Sequence, residues 1–369
     1  MNDAPIDRHV HGGLGPEEDR SAAGSQDPSV ALLDLSVNIN PYGPPPALLE
    51  AVRDCPIHAY PEPTAVRLRR SYGRRLGISP ERIVFGNGAT ELLWALARHF
   101  ATRLSPTLIL EPTFSEYARA AEVAGMGALS HWSRPPEFRH DLDELLSAAR
   151  DARAGSVYLC RPDNPTGQVI PRDDVERLAR SLAPTQIILD ESFLSLSDAA
   201  NEARIVLPEN VIRVRSLTKD FGIPGLRLGY LIASSSVASA LRRQLPPWTP
   251  SAPAQAAALA ALDEGSFVEE SRRRLLGERD RLQSWLAARG MRPLPSATIF
   301  LLLHVGSGRQ FRSALMEHRV VVRDATSFGL PEHARVAVGS AEMTRQLRAA
   351  IDAADLRFGV SAARPDRRV

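Results

Sequence analysis

From Leu32 onward the chain alternates short apolar runs with stretches of helical period. The short runs at 83–85, 107–110, 156–160, 186–189 and 228–232, and the alternating 212–215, are predicted as strands. Between them, 91–100 sets Leu93, Leu96, Ala97 and Phe100 on one helical face, and 173–182 repeats that pattern. Strand–helix alternation over this length predicts an α/β fold, a mostly parallel sheet with helices on both faces. Around 246–253 (Pro-Pro-Trp-Thr-Pro-Ser-Ala-Pro) the composition shifts abruptly, and a domain junction is predicted there. A long helical region over 254–289 should follow. A smaller α+β unit then runs through 299–303, 320–323 and 335–338. Residues 1 to about 30 are polar and rich in Gly, Asp and Ser, as expected of an arm with little structure of its own, and 361–369 should be frayed. The division this predicts is an arm over 1–45, a large domain over 46–247 and a small domain over 248–369.

Composition narrows the function. The 369 residues suffice for a large core, and 45 basic against 43 acidic side chains leave a formal charge of +2. No chain-wide field points to nucleic acid or to a membrane surface. Two cysteines, Cys55 and Cys160, are too few for a disulfide framework, and no pairing of zinc-site spacing occurs. The opening MNDAPIDRHVHGG lacks the apolar stretch of a signal peptide, and the longest apolar runs fall far short of a bilayer span. A soluble, cytoplasmic, globular protein is expected.

The basic count hides a singular residue. Lys219 is the only lysine, so the other 44 basic side chains are arginine. On the surface the two types exchange freely. Where a primary amine must lose its proton or form an imine, a guanidinium cannot stand in. A Schiff-base lysine is the reading this favours, against a lysine surviving by chance. Its neighbours agree. Ser216-Leu-Thr-Lys219 closes an alternating strand, a glycine-rich turn follows, and Arg227 precedes a second apolar strand, so Ser216 and Arg227 can converge on one phosphate.

Ligands collect at the carboxyl ends of strands in open parallel sheets, and four more segments fall there. Gly86-Asn-Gly88-Ala89-Thr90-Glu91 follows a strand and opens a helix, whose free N–H groups form an anion cradle that Thr90 extends with a hydroxyl. It has neither the Gly-Lys-Ser/Thr of a nucleotide loop nor full GxGxxG spacing. Asp163-Asn164-Pro-Thr-Gly167 offers the neutral amide of Asn164, or is an ordinary turn. Asp190 closes an apolar strand, where it can cap a helix or face a ligand cation. Phe114 can stack on a flat ring or simply fill core. An imine-forming amine, a phosphate cup, an acid for a ring nitrogen, an amide for a ring oxygen and a stacking face make the inventory for pyridoxal 5′-phosphate (PLP).

On these motifs (GNGAT, DNPTG, the Asp190 strand and SLTK…GLRLGY, in order) the chain resembles the fold-type I PLP enzymes of the aminotransferase class I/II superfamily over nearly its whole length. The resemblance implies a mostly parallel seven-stranded sheet in the large domain. It implies Lys219 as the Schiff-base lysine, Asp190 on the pyridine nitrogen, Asn164 on the ring hydroxyl and Phe114 stacked on the ring. Gly88, Ala89, Thr90, Ser216, Thr218 and Arg227 are assigned to the cofactor with them. Tyr60, in His58-Ala-Tyr-Pro, matches a tyrosine lent to the neighbouring subunit, which implies a homodimer with shared sites. A narrower resemblance rests on His11-Gly-Gly, Leu35-Ser-Val-Asn38-Ile-Asn-Pro, Phe193, Arg215-Ser-Leu-Thr-Lys219, Pro247-Trp248 and Val322-Arg323-Asp with Phe328-Gly-Leu330. It is to the L-threonine-O-3-phosphate decarboxylases of cobalamin biosynthesis, and it implies a small phosphorylated amino acid as substrate, lined by His11, Asn38, Arg323 and Arg335. Histidinol-phosphate aminotransferases share the lysine segment and give the alternative reading. Two positions, Gly339 and Thr298, depart from the decarboxylase pattern and are expected near the substrate.

Overall fold

The computed structural model describes residues 12–13, 32–100 and 105–354. Seven strands form the main sheet: β2 (Ile83–Asn87), β3 (Thr107–Glu111), β4 (Ala128–Trp132), β5 (Ser156–Cys160), β6 (Gln186–Asp190), β7 (Val211–Ser216) and β8 (Leu228–Ile232). Their order is β2-β8-β7-β6-β5-β3-β4, and only β8 runs antiparallel to its neighbours. The link from β7 to β8 is a one-turn helix and a glycine turn, too short for the crossover that a parallel return requires. Six of these strands are the six segments predicted as strands. The seventh, β4, was not legible as a run: it is an edge strand of sequence ALSHW, with side chains largely exposed. An edge strand that is only partly covered needs no apolar run.

Helices cover both faces, as strands buried on both sides require. On one face the helix Gly88–Phe100 sets Leu92, Leu93 and Leu96 against Tyr158, Ile188 and Val214. On the other, Leu145 and Leu146 and the helix Arg172–Leu182 close over Leu108, Val157 and Leu189.

The helical region expected over 254–289 is two helices, Ala252–Ala260 and Gly265–Ala287, broken at 261–264. The first still packs with the main sheet, Ala254 and Ala257 lying in one cluster with Tyr72, Phe85 and Tyr230. The second carries Leu282 and Leu286 into the C-terminal core. That core lies on a three-stranded antiparallel sheet of β9 (Phe300–His304), β11 (Arg323–Asp324) and β12 (His333–Ala337), ordered β11-β12-β9. The strand expected over 320–323 is divided. Its first half, β10 (Val320–Val321), pairs in parallel with β1 (Leu33–Asp34), so the segment before the main sheet joins the C-terminal core through Leu35. Among the described residues no helix is long and apolar enough to cross a membrane.

Candidate active site

A cavity of about 410 Å³ opens where the carboxyl ends of the parallel strands meet β11, β12 and the segment after β1. Lys219 enters it from the one-turn helix Leu217–Asp220 that caps β7. Burial, helped by the Arg335 and Arg227 charges, pushes its pKa down to about 8, and the Asp190 carboxylate pulls the other way. Its Nζ lies 5.8 Å from the centroid of the Phe193 ring.

Asp190 ends β6 and is 5% exposed. Burial raises its pKa, and three donors oppose that shift by favouring the anion. Ser192 donates to Oδ1 through its backbone N–H at 2.9 Å and its hydroxyl at 2.5 Å. The Tyr158 hydroxyl reaches Oδ2 at 3.4 Å from the adjacent strand β5.

Across the sheet edge lies the cup. The helix Gly88–Phe100 begins with Gly88, Ala89 and Thr90, and the Ser216 and Thr218 hydroxyls sit 2.7 Å apart beside it. Gly88 has φ +78°, and a Cβ there would lie 2.5 Å from Nη2 of Arg227, so the missing side chain is what admits the guanidinium. Arg227 is itself left-handed at φ 51° and donates to the Pro224 carbonyl at 3.1 Å.

The opposite wall comes from distant sequence. Arg323 and Arg335 are directly paired across β11 and β12 and are 6% and 5% exposed. Arg335 donates to Asn164 Oδ1 at 2.5 Å and to the Ser36 carbonyl at 2.6 Å. With its amide oxygen turned toward the guanidinium, Asn38 accepts from Nε and Nη1 at 3.3 and 3.2 Å. Burial and the neighbouring Arg323 charge push Arg335 down to about 9; burial and Arg312 take Arg323 to about 10.

Of the residues singled out from sequence, Ala89, Thr90, Phe114, Asn164, Asp190, Ser216, Thr218, Lys219, Arg227, Asn38, Arg323 and Arg335 all line this one cavity. Gly88 lies behind Arg227 rather than on the wall. Tyr60 is not in the cavity of its own chain; it is 81% exposed and stacked on Trp248 at 4.6 Å between centroids. His11 lies outside the described residues, although its neighbour Gly12 reaches the rim. Gly339 and Thr298, expected near the substrate, line no part of the cavity: Thr298 is buried and donates to the Leu196 carbonyl at 3.1 Å, and Gly339 packs on Met343. Sequence reasoning missed Ser192 and Tyr158. The first left a signal, an Asp-x-Ser step of the kind that folds into an Asx turn; the second left none, because strand adjacency alone brings it to Asp190.

Groups of these kinds, gathered at the carboxyl edge of a mostly parallel sheet, define a PLP enzyme of fold type I. The aminotransferase class I and II family matches residues 30–351, and the chain belongs to that family, whose members use PLP. It is 30% identical over 321 residues to histidinol-phosphate aminotransferase of Halalkalibacterium halodurans, a match covering 84% of this chain and 86% of that one. Among solved structures it is similar to histidinol-phosphate aminotransferase from Sinorhizobium meliloti in complex with PLP, with TM-score 0.79, 26% identity and coverage of 95% and 96% of the two chains. It is also similar to L-threonine-O-3-phosphate decarboxylase from Porphyromonas gingivalis, with TM-score 0.74, 25% identity and coverage of 87% and 99%.

Proposed function

We propose that the cavity holds PLP and acts on an amino acid that carries a phosphate as well as a carboxylate. The favoured reaction is α-decarboxylation of L-threonine O-3-phosphate, or a close analogue, to (R)-1-aminopropan-2-yl phosphate. The observation that carries the substrate class is the Arg323–Arg335 pair. Arg227 lies over the cup suited to the cofactor phosphate, and a substrate carboxylate engages one more guanidinium. Two stand together on the far wall, one beyond what a carboxylate alone requires. Gly12 supports the same reading. It packs against the Ser36 carbonyl, and Gly13 N–H donates to Ser36 Oγ at 2.8 Å, so the Gly-Gly of the His11 motif sits on the substrate side.

The residues fit the cofactor. Asp190, whose donors favour the anion against the upward pull of burial, suits the ring nitrogen, and Phe114 the ring face. Asn164, its oxygen committed to Arg335, has its NH₂ for the ring oxygen. Gly88, Ala89, Thr90, Ser216, Thr218 and Arg227 suit the phosphate, and Lys219 the aldehyde. When bound, PLP supplies an electron sink for the bonds at the substrate's Cα. The rest falls to the chain. Arg323 and Arg335 orient the substrate's anions and thereby select the bond to be broken. The Cα–carboxylate bond breaks, CO₂ leaves, and one proton must reach Cα; Lys219, poised near neutrality, is the group able to deliver it. Phe193, on which the narrower resemblance partly rests because aminotransferases usually carry a tyrosine there, has its ring centroid 5.8 Å from Lys219 Nζ.

Transamination of the histidinol-phosphate type is the second reading, and the names of the sequence relatives favour it. Both reactions use the same amine, acid and cup. Incubating holoenzyme with O-phospho-L-threonine separates them. Release of CO₂ without a keto acid supports the lyase; keto-acid formation that depends on an added amino acceptor overturns it.

The assembly proposed is a homodimer with shared sites. Exposed Tyr60 and Ile57, with Trp248, form a surface beside the cup, to which Asn87 Nδ2 ties Thr249 Oγ1 at 3.3 Å.

A further inference from the structure

Arg323 and Arg335 pose a physical problem. They are cross-strand partners, so their side chains leave the same face of the sheet, and both are buried, where like charges repel strongly. Arg335 is held by neutral oxygens, from Ser36, Asn164 and Asn38. Arg323 donates to Ser327 Oγ at 2.6 Å. One side chain serves both guanidiniums. The Phe328 ring centroid lies 5.5 Å from Arg323 Cζ and 5.8 Å from Arg335 Cζ, within the reach of a cation–π contact for each. A ring face steadies a cation without adding an opposite charge of its own.

Phe328 is in turn fixed from two sides. It ends the single turn Thr326–Phe328, and Gly329 after it is left-handed at φ 76°. A Cβ on Gly329 would lie 2.6 Å from Cη2 of Trp132, so the indole at the end of edge strand β4 sits directly on this backbone. Six residues further on, Phe138 joins Phe328, Leu302, Ala325 and Leu330 in one apolar cluster. The main sheet therefore braces the turn that carries the ring.

We infer that Phe328 is a positioning residue: its ring, braced by Trp132 and Phe138, sets the spacing of the Arg323 and Arg335 guanidiniums and so the distance between the two anionic groups that the site accepts. This rests on the reading above, that these arginines take two substrate anions. Holding that span is a specificity device. A ligand with one anion needs only one of the guanidiniums in place, whereas a ligand with two needs both at once.

The test compares holoenzyme carrying Phe328→Leu, Phe328→Tyr or neither. Binding is followed by titration calorimetry with O-phospho-L-threonine, O-phospho-L-serine and succinate as two-anion probes, and with L-threonine, L-serine and butyrate as their one-anion counterparts. Loss of the ring is expected to weaken two-anion probes at least tenfold and one-anion probes less than threefold, with Phe328→Tyr restoring most of the loss. In turnover the change should fall on KM more than on kcat. Equal weakening of both probe classes, unchanged binding in Phe328→Leu, or no preference of the unsubstituted holoenzyme for two anions would each overturn the inference. The outcome is separable from the proposed reaction. O-phospho-L-threonine turned over with an unaltered KM in Phe328→Leu sinks the positioning role alone. The expected split with succinate or O-phospho-L-serine, without CO₂ from O-phospho-L-threonine, sinks the reaction alone.

Discussion

Lys219 is a charge placed where its surroundings work against it. With the pKa pushed down to about 8 from the ordinary 10.5, the unfolded chain binds more protons at this position than the folded chain does between those pH values. Stability therefore rises with pH across that window, and the full penalty applies below about pH 8. In cofactor-free protein, Lys219→Met should raise the melting temperature at pH 7, with the gain shrinking toward pH 10. Thermal denaturation at both pH values checks the sign; a gain that grew with pH would contradict it. Lys219→Arg keeps the charge but not the chemistry, so the absorbance band near the visible edge that added PLP produces should vanish, with turnover down at least about a hundredfold. Asp190 gives a second test. Ser192→Ala removes the shorter of its hydrogen bonds, and a bond to a charged group contributes about 1.5–3 kcal/mol. Affinity for PLP, measured by absorbance titration, should fall at least about tenfold, while Ser192→Thr should retain most of it.

Among the elements, the cup depends on how closely β8 approaches the start of the helix Gly88–Phe100. A Cβ on Gly229 would lie 2.6 Å from the Ala89 nitrogen and 2.9 Å from the Arg215 carbonyl oxygen, both backbone atoms that cannot swing aside. Gly229→Ala should therefore destabilise the fold by about 1–3 kcal/mol in urea denaturation and weaken PLP binding together, because the strand and the helix N-terminus must part. Strand β4 makes the complementary point. Its exposed, polar residues gave no run to read, yet its last residue, Trp132, meets Gly329 of the C-terminal sheet region. Five of the buried strands were legible because a strand covered on both faces is largely apolar, and β7 by its alternation, its buried Arg213 and Arg215 being paired with Glu191. The division of 320–323 between two sheets was not, since Val320 to Arg323 read as one run and only their separate partners part them.

Over the whole molecule, the cavity lies where two sheets and the segment after β1 converge, and the proposed dimer adds a further contribution through Tyr60. Mixing Tyr60→Ala and Lys219→Ala subunits tests that arrangement. If the sites are shared, one of the two sites in a mixed dimer carries both native residues, so the mixture should regain activity that neither variant has alone, up to about a quarter per subunit of the unsubstituted enzyme when half of the subunits pair as mixed dimers. Sedimentation should show a dimer throughout, and no gain on mixing would place Tyr60 outside the partner's site.

The cofactor side was legible because its groups follow strands within one contiguous stretch of local motifs. An amine that cannot be replaced by a guanidinium, an acid at a strand end and glycines at a helix start each announce their chemistry within a few residues. The substrate side was decided by tertiary structure. Ser36, Asn38, Arg323, Phe328 and Arg335 are scattered along the chain, and in a sequence with 44 arginines only the narrower resemblance, not the chemistry of neighbouring residues, singled out the two that face the cavity. Strand pairing selects them, by setting Arg323 opposite Arg335 and burying both against the Phe328 ring, with Arg335 held by the Ser36 carbonyl and Arg323 by the Ser327 hydroxyl.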